Sequence, residues 1–148
     1  MYLLKRSISP YTSQDVLLGC FRSREKAQAA REDYLKPYRA NPSGDRWKEQ
    51  AYRIVDLEKD VVIVDNLPEA QVQPSQEEVF VLSSFAEGFG QIIRTFHAIC
   101  GSLEFAEKKS KEIEQQLDDG SNEYCQIQNV VVDKLLPDEE TQPYSDIL

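Results

Sequence analysis

A short pattern occurs twice in this chain, 79 positions apart, and the repetition narrows the possible folds more than any other feature. One copy runs from Leu18 to Ala27 and the other from His97 to Ala106. Each closes an apolar run, places a serine at a corner (Ser23, Ser102) and continues with glutamate and alanine (Glu25 and Ala27; Glu104 and Ala106). Tyr2-Leu3-Leu4 precedes the first copy and Val79-Phe80-Val81-Leu82 the second. A serine ahead of a helical pattern is an N-cap, because its hydroxyl accepts from an amide of the first turn. Glutamate in that turn faces the positive end of the helix dipole. The helical spacing agrees further on: Ala27, Arg31, Tyr34 and Tyr38 match Ala106, Ser110, Ile113 and Leu117. Two stretches that share a strand, a corner and a helix face predict two related units.

The expected fold is therefore α+β, with tandem duplicated β-β-α-β units, antiparallel sheet and one helix per unit; a ferredoxin-like arrangement is the alternative. The first unit spans 1–66, with strands near 2–8 and 15–21, a turn at Ser9 to Ser13, a helix over 24–38 and a strand pair at Tyr52–Leu57 and Val61–Val64. Pro37 is expected in the last helical turn. Residues 67–77, with two prolines and much Gln and Glu, read as a linker. The second unit spans 78–136, with strands over 79–85 and 91–100, a turn at Glu87 to Gly90, a helix over 103–117 and a strand over 124–132. Residues 137–148 are acidic, contain Pro137 and Pro143, and read as a mobile tail.

The strand-to-helix corner resembles that of a short bacterial domain type found in uncharacterised proteins, in which the pattern G-x-F-x-S-x-E-x-A follows an apolar strand. The first copy supplies Gly19, Phe21, Ser23, Glu25 and Ala27. The second keeps Ser102, Glu104 and Ala106 but has Ala98 and Cys100 in place of glycine and phenylalanine. The resemblance implies this corner twice in tandem, and no activity.

Candidate chemistry is sparse. His97 is the single histidine, so any His-based catalytic set has to use it. It stands within the apolar run Ile92–Ile99, where a structural role is expected, and strict alternation would put Cys100 on the opposite face. The three cysteines, Cys20, Cys100 and Cys125, are odd in number and have no close spacing, which argues against a disulfide framework; Cys20 and Cys100, at the ends of apolar runs, read as small buried hydrophobes. No C-x-x-C or H-x-x-x-H spacing occurs, and residues 118–123 lack the alternation of a calcium loop. Gly88-Phe89-Gly90 is too short for a phosphate cradle. No metal, cofactor or catalytic residue is assigned.

Charge supplies the functional expectation. Residues 1–68 hold 12 basic and 10 acidic side chains, whereas 69–148 hold 5 and 16, so the acidity of the chain belongs to the second half. Such a surface repels nucleic acid and attracts a basic protein. No stretch is long and apolar enough for a membrane span, and the N-terminus lacks a signal-peptide layout, so a cytoplasmic protein is expected. The expected function is a non-enzymatic protein-binding module, a small acidic regulator or inhibitor of a basic partner, a nucleic-acid-binding protein being one form of it. The expected contacts are Arg46 and Trp47, as an exposed anchor, with Glu104, Glu107, Glu112 and Glu114 on the second helix and Asp138, Glu139 and Glu140 in the tail. The alternative is a small-ligand-binding protein with its site at the seam between the halves, lined by Phe85, Phe89 and Phe96.

Overall fold

The strands and helices in the computed structural model follow the order expected from the corners. It describes residues 1–7, 15–44, 47, 56–88, 91–117 and 122–137. β1 (Tyr2–Arg6) and β2 (Val16–Phe21) form a hairpin that leads into α1 (Arg24–Ala40). A single helical turn, α2 (Leu57–Asp60), enters β3 (Val61–Val64), and a two-residue strand, β4 (Glu69–Ala70), follows. The second hairpin, β5 (Glu78–Gly88) and β6 (Gln91–Cys100), leads into α3 (Leu103–Gln115) and then β7 (Glu123–Val131). Ser23 and Ser102 both cap as expected, accepting from the Lys26 and Phe105 amides at 3.2 Å. Pro37 stays inside the last turn of α1.

The fold is α+β, with two sheets of order β2-β1-β3 and β4-β6-β5-β7. Within each unit the first strand is central and antiparallel to its hairpin mate and to the strand after the helix. The ferredoxin-like alternative fails, because the two helices serve two different sheets. Leu4, Val16, Leu18 and Phe21 pack under α1, while Leu3, Leu17 and Cys20 turn the other way and meet Val79, Val81, Ile99, Val130 and Val132 of the second sheet. Ala98, Cys100 and Phe80 then pack under α3 with Ala106. Four layers result: helix, sheet, sheet, helix.

Both hairpins carry one β-bulge. Leu4 pairs with Gly19 and Lys5 with Leu17, so Leu18 is an extra residue in β2. Leu82 pairs with Ala98 and Ser83 with Phe96, so His97 is the extra residue in β6. Leu18 and His97 lie 79 positions apart, the same offset as the sequence pattern.

The segment expected to be a linker is part of the second sheet. β4 runs parallel to β6, with the Ile99 amide donating to Pro68 O at 3.0 Å and the Gly101 amide to Ala70 O at 2.8 Å. The chain leaving β7 covers the first sheet in return: the Asp133 amide donates to Cys20 O at 2.8 Å and the Leu136 amide to Leu18 O at 2.9 Å. Each unit's exit segment thus covers the hairpin edge of the other unit. Both segments turn through a residue of positive φ, Gln71 at 58° and Asp133 at 66°. Asp133 is held there by the Arg22 amide at 2.8 Å, the Arg22 guanidinium at 2.6 Å and Lys26 Nζ at 3.0 Å. Burial opposes ionisation of Asp133, but these donors outweigh it and keep the carboxyl below its ordinary range.

Trp47, expected as an exposed anchor, belongs to the core. It is 3% exposed and meets Tyr34 and Tyr38 edge-on, at centroid distances of 6.0 and 5.9 Å. Its indole covers the end of the α1 layer, which leaves no face for a partner. The expected strand at 52–57 lies outside the described residues except for Asp56 and Leu57, the N-cap and first residue of α2.

Two substitutions test the exchanged edges. A Cβ at Gly101 would stand 1.8 Å from the Gln71 carbonyl oxygen, a backbone atom that follows directly on β4, to which the Gly101 amide is bonded. Gly101→Ala should therefore destabilise the chain by about 1–3 kcal/mol, as overpacking does, read as a lower urea midpoint. Asp133→Ala removes an acceptor shared by three donors and should cost about 1–3 kcal/mol at neutral pH. Because the folded pKa of Asp133 is depressed, that contribution is present above the unfolded pKa and lost as pH falls through the folded one. The two chains should thus converge in stability under acid.

Candidate functional site

The bulge at His97 shapes an open site. An extra residue in β6 turns His97 and Ala98 to the same face, beneath α3. Cys100 also faces α3, so the expected opposition of His97 and Cys100 is corrected: the bulge breaks the alternation on which it rested. Leu82 of β5 completes the floor of a cleft of about 580 Å3. Phe105, Lys109, Glu112 and Ile113 of α3, with its C-cap Gln116, form one wall, and Pro68, Glu69 and Ala70 the other. The walls are mixed: Phe105 and Ile113 are apolar, Glu69 and Glu112 acidic. Lys109 lies 3.6 Å from the Glu112 carboxylate and 5.9 Å from the Phe105 ring centroid.

On the floor, His97 Nε2 and Ser84 Oγ share a hydrogen bond of 2.6 Å. Burial pushes the imidazole pKa down, opposed by the Glu123 carboxylate, so the ring is neutral at neutral pH. This is the bond a nucleophile and its base would share. Ser84 nonetheless sits in the middle of β5, opposite Thr95 of β6 and Cys125 of β7, where a diagonal cross-strand contact with His97 is ordinary sheet packing. The three thiols are shifted away from their reactive form. Burial raises all three, Cys20 to about 12, and thiolate is the reactive form. Among the described residues no group of three His, Cys, Asp or Glu side chains is placed to hold a metal ion, and no helix is long and apolar enough to cross a membrane.

The seam between the sheets is packed where the aromatic residues were expected to open it. Phe85 is buried and stacks on Tyr124 at 5.4 Å. Phe96 packs against the apolar layer between the sheets. Arg94 lies between them, 5.1 Å from the Phe85 centroid and 4.5 Å from that of Phe96. It donates to Ser83 Oγ at 3.1 Å, Asp15 O at 3.2 Å and Gln128 Oε1 at 3.4 Å. Burial pushes its pKa down to about 10, against the opposing effect of Asp15. Phe89 lies outside the described residues.

Of the expected partner contacts, Glu104, Glu107, Glu112 and Glu114 are exposed on α3. Trp47 is buried, and Arg46, Asp138, Glu139 and Glu140 lie outside the described residues. The sequence reading missed the cleft itself. Its one available signal was the occurrence of His97 and Thr95 where the first copy has Leu18 and Val16. Comparison with protein-family models, with curated proteins and with solved structures finds no match to the chain.

His97 makes the cleft testable through pH. Its folded pKa is lowered, so the unfolded chain binds the proton more readily. The neutral ring therefore contributes stability above the unfolded pKa, and that contribution is lost as pH falls through about 6.5 toward the folded value. His97→Leu should flatten this part of the pH–stability curve relative to the parent, and the imidazole proton shifts of the parent should titrate below the ordinary histidine value. A ring that titrates at or above that value would overturn the assignment.

Proposed function

We propose that the chain is a non-enzymatic protein-binding module, a small acidic regulator or inhibitor, and that its binding surface is the α3 side of the second sheet. One observation carries this reading. The sheet positions that α1 and Trp47 seal in the first unit are open in the second. Val16 and Leu18 are buried, while Thr95 is exposed and His97 half-buried. Ile93, on the same face as Thr95, is 47% exposed. A floor of Leu82, Ala98 and His97 between the carboxylates of Glu69 and Glu112 suits a basic segment that inserts one apolar side chain. The shared connectivity, bulge position and serine caps support a tandem duplication in which the second unit lost its seal and gained a surface.

A second reading has a specific observation behind it. The cleft volume lies within the range of small-ligand sites, about 300–1,000 Å3, and the His97–Ser84 pair places polar atoms at its floor. His97→Leu separates the two readings, because it fills the floor and leaves the acidic rim. A small ligand loses its site, whereas a protein held at the rim keeps most of its affinity.

The main test is charge reversal. Glu104, Glu107, Glu112 and Glu114 are exposed, and exposed ion pairs contribute only about 0–1 kcal/mol each to folding. The fourfold change to lysine should therefore leave the fold intact. It should slow association with a basic partner recovered from the native host by about 10-fold or more at low salt, since long-range attraction sets the encounter rate. Added salt should slow the parent in the same way. If the reversed chain associates at the parental rate with the parental salt dependence, the acidity has no part in binding.

A further inference from the structure

We infer that the chain pairs with a second copy of itself through the outer edge of β7, so that the second sheets of two molecules become one continuous antiparallel sheet. This rests on the backbone of β7 and is independent of the surface on α3.

β7 is the terminal strand of the order β4-β6-β5-β7. The Val132 amide donates to Glu77 O at 2.8 Å and the Glu87 amide to Asn122 O at 3.1 Å. These bonds fix the parity of the ladder. Even-numbered residues of β7 turn their N–H and C=O toward β5, while Glu123, Cys125, Ile127, Asn129 and Val131 turn theirs outward. No described segment pairs with that edge. Other sheet edges are met in part by other segments. The chain after β7 bonds β2 at Leu18 and Cys20, and β4 pairs with β6 at Ile99 and Cys100. On β3, the Arg31 guanidinium donates to Val61 O at 2.9 Å. Natural sheets blunt a long edge with charge, proline or a bulge. β7 has none of these from Tyr124 onward.

Charge selects the occupant. The chain carries a net charge of −9, yet residues 124–132 hold no charged side chain. An uncharged strand offers nothing to a basic segment, while a second copy of the same strand meets it without repulsion. A two-fold axis through Ile127 gives the pairing that uses the whole edge. Ile127 then faces Ile127 of the second copy, Cys125 faces Asn129, and Glu123 faces Val131. Every outward N–H and C=O of the five residues finds a partner. Gln126 faces Gln128 across the axis, and their amides form matched donor–acceptor pairs. No like charges stand opposite one another.

The register yields a pair of opposed substitutions at an exposed position, since Val131 is 44% accessible. Val131→Glu sets two carboxylates across the pair with Glu123 of the second copy and should weaken dimerisation by about 10-fold. Val131→Lys sets opposite charges there and should leave it unchanged or strengthen it. Sedimentation of the full chain over a wide concentration range should show a species of twice the 17.0 kDa chain mass. Hydrogen exchange at the Cys125, Ile127 and Asn129 amides should slow as that species forms. Three results would overturn the inference. The chain stays monomeric at every concentration; the dimer responds alike to both substitutions; or those amides are already protected in the dilute monomer, which would mean that the chain covers the edge itself.

Discussion

The apolar layer between the two sheets is the contact on which every other layer rests. Leu3, Leu17 and Cys20 from one side and Val79, Val81, Ile99, Val130 and Val132 from the other are removed from water only if the sheets meet face to face. Each such side chain contributes about 1.5–3 kcal/mol when buried, and neither two-layer half could bury this set alone. The exit segments fasten the same contact at its edges. The chain leaving β3 crosses to β6, and the chain leaving β7 crosses back to β2. Arg22 ties the two crossings together, reaching the Pro74 carbonyl at 3.0 Å and the Gln76 carbonyl on one and Asp133 on the other. Because each unit completes the other's edge, the units are expected to unfold as one.

Within that shared frame the units differ in how their helix layers are finished. In the first, Trp47, Tyr34, Tyr38 and Leu35 extend the core beyond the strands, so that Val16 and Leu18 are dry. In the second, α3 is shorter and buries chiefly Ala106. The bulge position then meets solvent on one side, and a half-polar histidine becomes tolerable there. Glu69 and Glu112 stand beside the unsealed face, where burial does not penalise them.

The sequence made the repeated corners legible because they are local. A serine cap, a first-turn glutamate and a helical stripe are written in adjacent residues, and β6 and both helices lie close to where those signals put them. The failures share a different cause. A bulge at Leu18 or His97 leaves no mark in residue type, since neither is a glycine, and its effect is to reverse which face follows. Trp47 stands near Gly44 and reads as part of a loop. Its burial depends on Tyr34 and Tyr38, a tertiary contact that no local window contains. Glu69 and Ala70 have weak strand preference, and they form β4 only because β6 presents an unpaired edge to them. The cleft was illegible for the same reason, being the product of a bulge, a short helix and a segment taken for a linker.

Arg94 explains why the seam between the sheets is a poor place for a ligand. The apolar layer gives out toward the far end of β6, where Ser83, Gln128 and the Asp15 carbonyl replace valine and leucine. A guanidinium occupies that end, sandwiched against Phe85 and Phe96 and bonded mainly to neutral acceptors. A buried cation of this kind is costly unless its charge is spread and its donors are met. Arginine satisfies both conditions better than lysine, through its planar fork and its affinity for aromatic faces. The Asp15 carboxylate, itself 2.5 Å from Lys5 Nζ, supplies the nearest compensating charge. By reaching Asp15 from β6, Arg94 joins the sheets where apolar contact no longer does. The seam is thus closed by hydrocarbon at one end and by a hydrogen-bonded polar cluster at the other. The two proposed contact surfaces, the face beneath α3 and the edge of β7, both lie outside this closed seam.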